Sequence, residues 1–534
     1  ILLIYLSDLL KFLLYIIIIF FLSSCASPGG GGGSSSTSSL TTLNPTTSSL
    51  ITLSSAYANS LVASISNSLG NSSSGRFQKT VTKNRTVERV SDSKIEELVE
   101  EIKKSIQDNS SYSLDNSSDL YLLMGRITEG FLEGINTIGL SETEKIYIMN
   151  KMGESTSKVL GDFKDNASRS DNHSVTSILD NTTFSFSSMI DSSGLGTSSY
   201  GEGNSGYMVG LMNNLAHSLD NQSVDESLKN NIKLSLVGLS KIDKTGFDNS
   251  EYETASKKMA QDTVKNIKTV EGIAEIGDGI TGITEGMSSA ILSLSEIQSS
   301  SSRTTSRISG IDKKKVLKTV TKQAVTSVSE IEEVNLSDIA KFAQSASQGA
   351  LQGVLKDNSS SSGEEDILSF TEEIVEAGIT AISDIKVIFE NRSEGSQDEI
   401  DADKQLSLIE SISNGISNAV MKTDVASLDN SSDIKKKALK SLTKKSMSTA
   451  KSVLKDENVN LGKLANTITK AAVSGIEKPD ANMEDTLSFI NFVMDGATSA
   501  LVDIKKDEPD LDLSNPIKNL LTGTLSSIRQ NSDN

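Results

Sequence analysis

The sequence predicts an all-α fold, arranged as internally repeated helical bundles or a helical array and preceded by a flexible Gly/Ser/Thr tether. Three observations carry this. Apolar residues recur at spacings of three and four, as on one face of a helix. Long blocks reappear in the same order roughly 120 residues apart. Residues 26–50 (ASPGGGGGSSSTSSLTTLNPTTSSL) are uncharged and low in complexity, which is tether composition.

The elements follow in chain order. Residues 12–22 read FLLYIIIIFFL, an apolar run of signal-peptide length, preceded by Lys11 and followed by Ser23, Ser24 and the only cysteine, Cys25. The alternative is an uncleaved transmembrane anchor built from residues 9–22 with Ile1–Leu6, although Asp8 and Lys11 interrupt it. With one cysteine no intramolecular disulfide and no multi-cysteine metal centre can form.

Leu22, Ser23 and Ser24 before Cys25 resemble the lipobox of bacterial lipoproteins. The resemblance implies cleavage between Ser24 and Cys25 and a diacylglycerol (palmitate-type) modification of Cys25. A thiolate is the strongest side-chain nucleophile for accepting such a group, and small residues leave the preceding bond accessible. Two or three acyl chains, at about 0.8 kcal/mol per buried methylene, anchor a chain far better than one. The polar, low-complexity style together with this relaxed lipobox is similar to spirochaete-type lipoproteins. Ala26 and Ser27 lack the Asp that retains some lipoproteins at the inner membrane, so the resemblance implies the outer membrane or cell surface.

The expected organisation is a signal peptide (1–24), a lipid-anchored Cys and tether (25–55), an N-terminal helical segment (56–140), divergent helical repeats (141–310) and two further repeats (311–432 and 433–534). Breaks are expected at the Ser-, Asn- and Gly-rich stretches 191–205, 298–310, 357–363 and 391–397. The clearest helical stripes are Leu487, Ile490, Met494, Ala497, Leu501, Ile504 and, upstream, Ile409, Ile412, Ile416, Ala419. Leu461, Leu464, Ile468 and Ala472 repeat the pattern.

The duplication is explicit. EEDILSFTEEIVEAGITAISDIK at 364–386 matches MEDTLSFINFVMDGATSALVDIK at 483–505, and IDKKKVLK at 311–318 matches DIKKKALK at 433–440. SLDNSSD occurs at 113–119 and 427–433. Its Asp and Asn residues are expected as helix N-caps rather than calcium ligands, because the central Gly and distal Glu of an EF-hand are missing.

Composition bounds the function. A net charge of −19 argues against nucleic acid as a partner, since phosphate is gripped through Lys and Arg. Hydrophobic residues make up 36% and aromatics 4% of the chain, so any core is thin and built from small aliphatics. Gly277, Gly279 and Gly282 satisfy GxGxxG, yet Ile273, Ile276, Ile280, Ile283 and Met287 carry a helical stripe through them. Close helix packing, with Gly272, Gly279 and Gly286 seven apart, is therefore expected rather than a dinucleotide loop.

Lys313, Lys314 and Lys315 recur as Lys435, Lys436 and Lys437, a candidate basic ridge or, more simply, a solvated helix face. His173 and His217 are the only histidines and both sit in polar surroundings, which leaves little for nucleophilic or metal chemistry. No catalytic residues, metal ligands or cofactors are expected. The functional expectation is a membrane-anchored envelope protein whose helical repeats are a non-catalytic interaction or structural module for a protein or other macromolecule. The alternative is a lipoprotein carrying a small ligand or lipid between helices spaced by glycine.

Overall fold

The computed structural model describes residues 81–82, 85–86 and 128–532, the last with breaks at 130, 134, 137–139, 167–174, 220–221, 274, 295–310, 357–363, 393–399, 424–430, 456–458 and 477–482. The expected signal peptide and tether, and the linkers expected at 298–310 and 357–363, lie outside the described residues. All that follows concerns the compact unit from Leu50 to Asn534. Val81–Thr82 pairs antiparallel with Arg85–Thr86, and every other regular element described is helical.

The α-helices are α1 Glu142–Asn166, α2 Val175–Met189, α3 Tyr200–Met212, α4 Leu215–Ser218, α5 Val224–Leu239, α6 Asn249–Lys265, α7 Ile276–Ser293 and α8 Lys313–Ser327. They continue as α9 Leu336–Lys356, α10 Glu364–Arg392, α11 Ala402–Lys422, α12 Ser431–Val453, α13 Leu461–Ser474, α14 Met483–Asp507 and α15 Ser514–Ser532. Starts are fixed by side chains that satisfy free N–H groups. Asp248, Asp312, Asp401 and Asn460 cap α6, α8, α11 and α13. Ser141 with Glu144 and Asn335 with Asp338 form reciprocal capping boxes.

Consecutive long helices fall into opposite layers. One layer runs α1–α3–α6–α8–α10–α12–α14 and the other α2–α5–α7–α9–α11–α13–α15, each helix packing mainly on the helix two before and two after it. Neighbours in a layer run parallel: Gly349 and Gly353 of α9 meet Thr281 and Glu285 of α7 in the same order. The unit is therefore a stacked helical hairpin. The period of roughly 120 residues corresponds to two hairpins, α8–α11 and then α12–α15.

Buried hydrophobic residues form one continuous cluster from Phe131 to Leu520. The stripe Ile409, Ile412, Ile416, Ala419 is fully buried, as are Ile468 and Ala472. Leu487 departs from its stripe: it is 50% exposed while Ala497 and Leu501 are buried.

The core is mostly Ile, Leu, Val and Ala, but it is not only small aliphatics, since Tyr200, Tyr207, Tyr252 and Phe186 are fully buried. It holds together because the helices approach closely. A Cβ on Gly286 would stand 2.3 Å from the Lys229 carbonyl oxygen of α5, and one on Gly353 2.5 Å from that of Glu285. Two further expectations need correction here. The helix around the GxGxxG begins only at Ile276, with Gly272 in a turn at φ 80°, so the seven-residue glycine spacing is not the packing device. Gly282 and Gly286, one turn apart, meet α5 instead. The break expected at 191–205 also ends early. Tyr200 starts α3, whose Gly206 and Gly210 lie against the α1 backbone, so tertiary packing overrides poor helix propensity.

Candidate functional site

The expected lipidation site Cys25 and the lipobox residues Leu22, Ser23 and Ser24 lie outside the described residues, as do His173 and the caps Asp115, Asn116, Asp429 and Asn430. His217 is exposed, with Nε2 3.1 Å from Glu271 Oε2. Among the described residues no group of three or more His, Cys, Asp or Glu is placed to hold a metal ion.

The described lysines of the candidate ridge are engaged by their neighbours. Lys313 donates to the Leu292 carbonyl and Lys435 to that of Met421. Lys314 lies 3.9 Å from Asp366, Lys315 2.8 Å from Glu253 and Lys436 3.7 Å from Asp433, and Lys437 pairs with Glu364. The two triplets sit on α8 and α12, and the acidic helix α10 lies between them.

This alternation runs along the layer. Helix α8 has five lysines and no acid; α10 has eight acidic residues against Lys386 and Arg392; α12 has seven lysines against Asp433; α14 has five acids against two lysines. Cross-helix pairs join each boundary. Lys318 reaches Glu376 at 2.6 Å and Glu373 at 3.2 Å, and Lys322 reaches Asp384 at 2.9 Å. Across the next groove Lys445 reaches Glu376 at 2.6 Å. Beyond it Lys440 meets Asp495 at 2.5 Å and Lys444 meets Asp503 at 2.9 Å.

Electrostatics follow from that geometry. Partial burial would raise Glu376, but Lys318 and Lys445 on either side hold its carboxyl below the usual range. Hydrogen bonds from Lys506 and Lys444 bring Asp503 down to about 2. Lysines at the start of α8 and α12 oppose their own helix dipoles. The acidic first turn of α10 beside them, with Glu364, Glu365 and Asp366, offsets that cost.

The upstream hairpins are built differently. Ser187 and Ser235 share a buried hydrogen bond of 2.8 Å, Ser235 donates to Asn204 at 3.3 Å, and Thr183 donates to Asn231 at 2.7 Å. Tyr207 stacks on Phe186 with ring centroids 4.0 Å apart. Asp180 is mostly buried with Oδ1 unpartnered, and burial pushes its carboxyl up to about 6. Of the seven-spaced glycines that a ligand groove would have used, Gly286 meets the α5 backbone at Lys229, Gly279 meets the Ile267 and Ile273 side chains, and Gly272 meets those of Ala216 and Val224.

Sequence reasoning found the lysine triplets but missed their acidic partners Glu253, Glu364 and Asp366, and missed the pairing of Lys318, Lys322 and Lys445 with Glu373, Glu376 and Asp384. The signal was present as helix-by-helix net charge of alternating sign. It has meaning only once alternate helices are known to be neighbours. No protein-family model matches the chain, and no curated protein matches it in sequence.

Proposed function

We propose that the chain is a lipid-anchored protein of the bacterial envelope, held at the outer membrane or cell surface through Cys25, whose helical array is a non-catalytic interaction or structural module. The observation that carries the module reading is the stack itself. Hairpin joins hairpin through glycine contacts and a ladder of ion pairs, so polar groups across α8–α14 serve helix–helix cohesion and leave long ridged faces for macromolecular contact. The anchor reading is supported by the sequence around Cys25.

The test is metabolic labelling with a palmitate analogue in wild type and Cys25→Ala, followed by protease treatment of intact cells. Labelling present in wild type, lost in the variant, and a body shaved from whole cells is the expected result. Labelling that persists in Cys25→Ala, or is absent from wild type, overturns the anchor.

A further inference from the structure

Between α6 and α12 the two layers are joined by different means. In the layer of α5, α7, α9 and α11 every joint closes on glycine. A Cβ on Gly286 would stand 2.3 Å from the Lys229 carbonyl oxygen, one on Gly349 2.2 Å from that of Thr281, and one on Gly415 2.3 Å from that of Gln344. Backbone against backbone fixes that spacing at the short end of the usual range. Ion pairs such as Lys356 to Glu285 lie beside these contacts but do not set the distance.

The facing layer has no such glycine contact between α6 and α12 among the described residues. Helices α6, α8, α10 and α12 contain one glycine, Gly378, which meets the side chains of Ile412 and Ser347 in the other layer. Polar side chains bridge their grooves instead: Lys315 to Glu253 across α6/α8, Lys322 to Asp384 across α8/α10, and Ser441 to Glu372 across α10/α12. Glu376 takes Lys318 from one side and Lys445 from the other, so two grooves share one rung. Glycine returns at the two ends of the stretch. A Cβ on Gly201 of α3 would stand 2.5 Å from Ala255 Cα on α6, and one on Gly496 of α14 2.3 Å from the Lys440 carbonyl oxygen of α12.

The consequence is mechanical. The rungs are partly exposed, so dissolved ions reach and screen them, whereas van der Waals contact between backbones does not depend on salt. Once screened, each ammonium and carboxylate takes its own water shell, and the groove between them widens. Interhelical distance varies between about 8 and 10 Å with the side chains at the contact, which gives each of the three grooves on the order of 1 Å of travel. Because the opposite layer cannot follow, that travel becomes a bend about the glycine seam.

We propose that the α6–α12 stretch is a salt-responsive flexure: as ions screen the ladder, the grooves between α6, α8, α10 and α12 widen together while the glycine layer keeps its spacing. This depends neither on Cys25 nor on what the array contacts.

The experiment measures spin-label distances by double electron–electron resonance in the full chain carrying Cys25→Ala, so that the introduced cysteines are the only ones. One pair, Thr254→Cys with Ser448→Cys, spans the ladder layer from α6 to α12. The other, Ser223→Cys with Ser407→Cys, spans the glycine layer from the start of α5 to α11, and all four positions are exposed. Raising ionic strength from about 0.01 M to about 1 M cuts the screening length from about 30 Å to about 3 Å. The first distance is expected to lengthen by about 3 Å and the second to change by less than about 1 Å. Glu376→Gln should lengthen the first distance already at low salt and shrink its response to added salt. Should that variant lose its circular-dichroism melt, Lys322→Gln is read in the same way. A first distance that ignores salt overturns the proposal, as do equal changes in both layers or a folded variant that matches wild type at low salt.

Discussion

The hairpins upstream of α7 and those from α8 onward solve one problem in two ways. Both must hold parallel neighbouring helices together with few large apolar side chains. The upstream region uses buried aromatics, Tyr200, Tyr207, Tyr252 and Phe186, and internal hydroxyl and amide networks around Ser187, Ser235, Asn204 and Asn231. The downstream region has mostly aliphatic cores, keeps a few buried bonds such as Ser417 to the Ala472 carbonyl, and adds polar cohesion on the outside, in the alternating ladder of α8, α10, α12 and α14. Internal networks are insulated from salt and sensitive to deletion. Surface pairs are individually weak, screened by salt, and useful as a set that fixes which helix lies beside which.

The device shared by both regions should show the largest effect. Gly210→Val upstream and Gly353→Val downstream each place a branched side chain against backbone, at Asn150 and Glu285, and should each cost at least about 3 kcal/mol in thermal or denaturant unfolding. A cost under about 1 kcal/mol at Gly353 alone would mean that downstream stacking is looser, and the contrast would extend to packing.

Next comes Asp180. Its folded carboxyl holds a proton up to about pH 6, whereas unfolded it releases it near 3.8, so stability falls as pH rises through that window. Asp180→Asn should gain about 2 kcal/mol at neutral pH, and the gain should vanish below about pH 4. A gain independent of pH would assign the effect to shape rather than charge.

Ser235→Ala, which strips the partner from Ser187, should cost about 1–2 kcal/mol and do so equally at low and high salt. Glu376→Gln should cost about 1 kcal/mol at low ionic strength, because it removes the carboxylate facing Lys445 and leaves Lys318 only Glu373, and much less in high salt. Equal salt dependence of the two variants would dissolve the distinction between the regions.

Much of this fold is legible in the sequence. The stripes from Ile409 to Ala419 and from Leu464 to Ala472 are local, because one face of a 3.6-residue helix is written in a dozen consecutive residues. Caps such as Asp312 and Asp401 are equally local. What misleads is a residue whose role lies in another helix. The glycines of α3 read as a break because their function, approach to α1, has no local signature, and Leu487 reads as core because its stripe cannot say whether a further hairpin covers it.

The sequence by itself determined most of the helices, α3 excepted, their order and the sign of charge on each one, since these are set by residues near in the chain, and it showed the internal duplication by self-comparison. Tertiary structure alone decided that alternate helices are neighbours. That choice turns two separated lysine triplets into rungs flanking α10, makes the duplication a pair of hairpins rather than one domain, and sets the leucines of α15 on an open face. The physical reason is that pairing partners such as Lys318 and Glu376, or Gly349 and Thr281, are more than fifty residues apart. Their contact depends on where whole helices pack, which no local spacing encodes.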